Sequence, residues 1–62
     1  MNTVQFIVYA QGLSDTQLLD LYNDKHYKYC RLLDIGGVKN ARRLYRELYT
    51  LESIMQMRNI SY

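Results

Sequence analysis

Apolar positions fall into three blocks with different periods. Thr3–Ala10 (TVQFIVYA) is β-branched and aromatic, with no charge, Gly or Pro, and its composition predicts a short strand. Alternation would set Val4, Phe6 and Val8 on one face and Thr3, Gln5, Ile7 and Tyr9 on the other. Gln11–Gly12 breaks the run. Ser14-Asp15-Thr16-Gln17 then reads as a capping box, with Leu13 and Leu18 at the staple positions and Asp15 at the positive end of the helix dipole. Leu18, Leu21, Tyr22, Tyr29, Leu32 and Leu33 continue at helical spacing, which predicts a helix over 15–34. Gly36 is placed as its C′ residue. Val38, Ala41, Leu44, Leu48, Leu51 and Met55 recur every three or four residues and predict a second helix over 38–57. The two would form an antiparallel hairpin about a two-glycine turn.

The expected fold class is therefore α+β, mainly α, as one small domain over residues 1–62: strand 3–10, helix 15–34, helix 38–57. A lone strand needs a partner. Either the tail Arg58–Tyr62 pairs with it, giving β-α-α-β, or it pairs with its copy in a second chain. A 62-residue core is marginal by itself, which favours a homodimer.

Charge changes this picture more than composition does. The net +2 hides a division: residues 1–24 carry −3, residues 25–46 carry +6 and residues 47–62 carry −1. The basic block covers the second half of the first helix, the turn and the first half of the second helix. A hairpin would bring these to one end. Lys39, Arg42, Arg43 and Arg46 follow i, i+3, i+4, i+7 and share a face. Two of them fall in the first turns, where the helix dipole disfavours cations. With Asn40 and with Lys25, Lys28 and Arg31 in support, they are the candidate nucleic-acid-binding residues. Tyr27, set among bases, is a candidate stacking or partner contact. Tyr22, Tyr29, Tyr45 and Tyr49 are assigned to the core or an interface rim.

Catalytic chemistry is not expected. His26 and Cys30 lie four apart and could share a helix face, but nothing around them supplies a cleft or an oxyanion site. One cysteine forms no intrachain disulfide, and one His with one Cys does not make a structural zinc site. No cofactor or metal is implied. Gly36-Gly37-Val38-Lys39 lacks the P-loop spacing. No apolar run approaches a membrane span or a secretory signal, so the expected location is cytoplasmic, with no membrane partner.

In the order strand, helix, glycine turn, basic-starting helix, most of the chain resembles the ribbon-helix-helix DNA-binding family. That resemblance implies a dimer whose paired strands enter the major groove. It would make Thr3 and Gln5 base contacts, bury Val4, Phe6 and Val8, and use Gly36, Gly37, Lys39 and Asn40 at the phosphate-contacting turn. Leu13-Ser14-Asp15, Leu18-Leu19 and Tyr22 also resemble the start of small helical-hairpin regulators such as the sporulation antikinases, which bind protein. The expected function is that of a small non-enzymatic regulator of nucleic acid, DNA before RNA, of the size common in phage and mobile elements, where it would act on transcription. The alternative is an inhibitor or adaptor that captures a host enzyme or regulator, an acidic protein in particular.

Overall fold

The computed structural model describes residues 2–61. They form three helices: α1 (Thr3–Gln11), α2 (Asp15–Asp34) and α3 (Val38–Met57). The two long helices fall on the expected boundaries. The fold class does not: the chain is all-α, and the expected strand at 3–10 is a helix.

The reason lies in two local facts. The Asn2 side-chain oxygen accepts the Gln5 N–H at 2.8 Å, and the Gln5 side-chain oxygen accepts the Asn2 N–H at 3.0 Å. This reciprocal cap matches the one Ser14 and Gln17 make at the start of α2. Burial then follows period four, not period two. Phe6 and Ala10 are buried, whereas Val4 and Val8, which a strand would place beside Phe6, are exposed. Pairing within the chain or across a ribbon is removed with the strand. Thr3 and Gln5 occupy the first turn of a helix, and the ribbon that a ribbon-helix-helix dimer requires has no counterpart among the described residues.

α2 and α3 pack antiparallel, and α1 lies against α3. The result is a flat body of 33 × 24 × 14 Å. The two-glycine turn closes α2 as a Schellman motif. The Gly37 N–H donates to the Leu32 carbonyl at 2.8 Å, and the Gly36 N–H to that of Leu33 at 3.3 Å. Gly36 takes φ +78°, the left-handed conformation that a side chain disfavours.

The tail is neither frayed nor a strand over its described part. α3 ends in a second Schellman motif with Asn59 at φ 59°, and the Ile60 N–H donates to the Met55 carbonyl at 2.9 Å. Ile60 thereby folds back onto the core formed by Phe6, Ala10, Leu18, Leu51, Ile54 and Met55. Tyr62 lies outside the described residues. Arg58 ties the end of α3 to the α1–α2 junction. Its guanidinium donates to the carbonyls of Leu13 at 2.7 Å and Gln11 at 2.8 Å and pairs with Asp15 at 3.2 Å. It satisfies carbonyls left open where α1 ends and α2 begins.

Candidate nucleic-acid interface

α3 has three sides. Ala41, Leu48, Leu51 and Met55, spaced by seven, three and four residues, form its buried seam. Asn2, Thr3 and Phe6 of the α1 end face Arg43, Arg46, Glu47 and Thr50 across a shallow cleft. The third side, with Val38, Arg42, Tyr45 and Tyr49, looks onto Tyr22, His26, Tyr29 and Leu33 of α2 and is covered by no other helix. Lys39, Arg42, Arg43 and Arg46 form a crest between the last two sides. All four are exposed, and among the described residues none has a carboxylate partner.

The start of α3 is set against this crest. Gly37, its N-cap, offers no side-chain hydrogen bond, and no acid occupies the first turn. α2, in contrast, has both a capping box and Asp15. Lys39 and the exposed Asn40 thus stand at an uncapped helix start that favours anions.

The remaining predicted cations do not join the crest. Lys25 turns inward: its ammonium pairs with Glu47 at 3.3 Å and sits 5.4 Å from the centre of the Phe6 ring. It stitches α2 to α1 and α3. Lys28 pairs with Asp24 at 3.0 Å one turn away, a pair of little energetic weight because both partners are well exposed. Arg31 donates to the Tyr27 hydroxyl at 3.3 Å and lies over that ring. Tyr27, Lys28 and Arg31 are exposed and belong to the outer side of α2. The seven-cation block of the sequence is therefore a four-cation crest, one half-buried stitch and a separate pair on α2.

His26 stacks on Tyr22 with ring centres 5.8 Å apart, and Cys30 is exposed. Among the described residues no hydrogen bond joins the two, and no group of three or more His, Cys, Asp or Glu side chains is placed to hold a metal. No helix of the described residues is long and apolar enough to cross a membrane.

Sequence reasoning left Tyr29, Tyr45 and Tyr49 between core and interface rim and did not place them on one uncovered side. Tyr45 and Tyr49 are exposed, not core, and Tyr29 lies 6.2 Å from Tyr45 between ring centres. The signal was available: Val38, Tyr45 and Tyr49 recur one and two turns apart beside the leucine seam, making the apolar stripe wider than one partner helix can cover.

Fold and site together define a three-helix, all-α chain with an unpaired basic crest on its last helix. No family model, no curated protein and no solved structure matches the chain.

Proposed function

We propose that the chain is a small non-enzymatic nucleic-acid-binding protein in which Lys39, Arg43 and Arg46, with Arg42 at the edge, contact phosphates. One observation carries this reading. Lys25 and Arg58 each have a carboxylate and a structural task, Lys28 has a carboxylate and Arg31 the Tyr27 hydroxyl, but among the described residues the four cations of the crest have no carboxylate. Their mutual repulsion and the adjacent helix dipole each oppose folding by tenths of a kcal/mol, roughly. A polyanion placed along the crest reverses the sign of both terms, and released counterions add to the gain. The Asn40 side chain and the N–H groups of Lys39 and Asn40 would add hydrogen bonds to the same phosphates, the Val38 N–H being held by the Gly36 carbonyl. Action in a cytoplasmic regulatory process, such as transcription, belongs to this reading.

The test is fluorescence anisotropy with a mixed-sequence duplex and a single strand at about 50 and 200 mM salt, where a phosphate-binding surface loses affinity steeply. Lys39→Ala/Arg43→Ala should weaken binding across all sequences and lower the salt slope by about two. An unchanged slope in that variant excludes the crest as the phosphate site.

A further inference from the structure

The uncovered side of the hairpin carries Leu33, Val38, Tyr45 and Tyr49, each more than half exposed, around the partly buried Tyr29. The molecule has 4708 Å² of accessible surface, whereas a folded monomer of its mass is expected to have about 4,200 Å². A contiguous aromatic patch on so small a body marks an interaction surface. We propose that it is covered by a second copy of this chain, related by a two-fold axis that crosses the helices, so that two hairpins stack face to face as a four-helix bundle.

Charge selects both the occupant and the axis. A face can meet itself about an axis along the helices or about one across them. The first sets the two basic ends side by side and adds the repulsion of two +6 segments. The second sets them at opposite ends, with α3 antiparallel to its copy.

In that arrangement α3 residues whose numbers are symmetric about the point where the axis crosses the helix face each other, and here the axis is set midway between Tyr45 and Tyr49. With Tyr45 opposite Tyr49 of the second copy, Arg42 falls opposite Glu52. Arg42 is an unpaired cation toward the turn end of the patch, one turn inside Val38, and Glu52 is the carboxylate at its far end, accepting the Tyr22 hydroxyl at 3.0 Å. Within one chain the two lie ten residues apart, about 15 Å along the helix, too far to pair. The patch is thus self-complementary: apolar and aromatic at its centre, cationic at one end and anionic at the other. Arg42 and Arg46 border the patch, but Lys39 and Arg43 do not line it, so these two stay open to phosphate at each end of the dimer.

Sedimentation equilibrium of the full chain, over about 1 to 500 µM, reads the dimer directly. The expected result is a mass that doubles within this range. Arg42→Glu and Glu52→Arg should each weaken the dimer about tenfold or more, since each sets like charges opposite one another. Mixing the two variant chains should restore association, because every rim contact is then between opposite charges. Circular dichroism of each variant checks that it is folded. A chain that stays monomeric throughout overturns the proposal. So does a dimer that neither substitution weakens, or one that mixing fails to restore. Tyrosines that stack on single-stranded nucleic acid in a monomeric complex would overturn it as well. Duplex binding by Lys39 and Arg43 is read separately, so the dimer and the phosphate site can fail independently.

Discussion

The two ends of the hairpin are built on opposite rules. At the closed end, α1 covers α3 and Arg58 binds three acceptors across the α1–α2 junction. The core cluster of Phe6, Ala10, Leu18, Leu51, Ile54 and Met55 lies at this end. At the turn end Ala41 is buried, while Leu33, Ile35, Val38 and Tyr45 are exposed among unpaired cations. Each end shows what the other lacks: capping boxes on α1 and α2, an acid at the start of α2 and satisfied cations hold the closed end, and α3 begins with none of these. One end is built to fold, and the other leaves charge and apolar surface exposed, as the proposed binding role requires. Stability across a small domain need not be uniform, and binding surfaces come from its weaker part.

The comparison breaks most readily at the closed end. Leu51 is fully buried, and Leu51→Ala should cost about 3 kcal/mol in urea unfolding, a large share of the stability of so short a chain. Leu33→Ala, at the turn end, should change the monomer's stability by less than about 0.5 kcal/mol. Arg58→Ala should cost about 1.5 kcal/mol by removing charge-assisted bonds to two carbonyls. Arg58→Lys should recover only part of this, because an ammonium lacks the fork that spans them.

The glycines separate by sign. Gly36→Ala should destabilise by about 1 kcal/mol, since it forces a side chain into the left-handed region. Gly12 has φ −83°, and an added methyl would meet only ordinary contacts at 3.5 Å, so Gly12→Ala should be neutral or stabilise by about 0.5 kcal/mol. Thermal melts of both variants measure the contrast.

The smallest effect sharpens the comparison most. Lys39→Glu places an acid in the uncapped first turn of α3 and relieves the crest, so it should stabilise the chain by about 0.5 kcal/mol while weakening nucleic-acid binding. A destabilising result would mean that Lys39 has a structural role the geometry does not show.

The two long helices were legible because their signals are local and agree: Ser14-x-x-Gln17 starts one, Gly36 ends it, and unbroken leucine spacing carries the other. α1 was misread because β-branched composition spoke louder than Asn2-x-x-Gln5, a capping box in the sequence, and than the four-residue spacing of Phe6 and Ala10. Nine residues hold too few turns for period to outweigh composition, and packing on α3 decided the matter. The crest was legible from the spacing of Lys39, Arg42, Arg43 and Arg46. The inward turn of Lys25 was not, since its partners Glu47 and Phe6 come from two other helices.

The division between a folding end and a binding end is tested most directly by amide NMR of the labelled chain titrated with a short duplex at low salt. Shift changes should gather at Gly37–Arg46 and fade as salt rises, while Leu18 and Leu51–Met55 stay in place. Changes centred on α1 or the closed end, or none at low salt, would contradict the account.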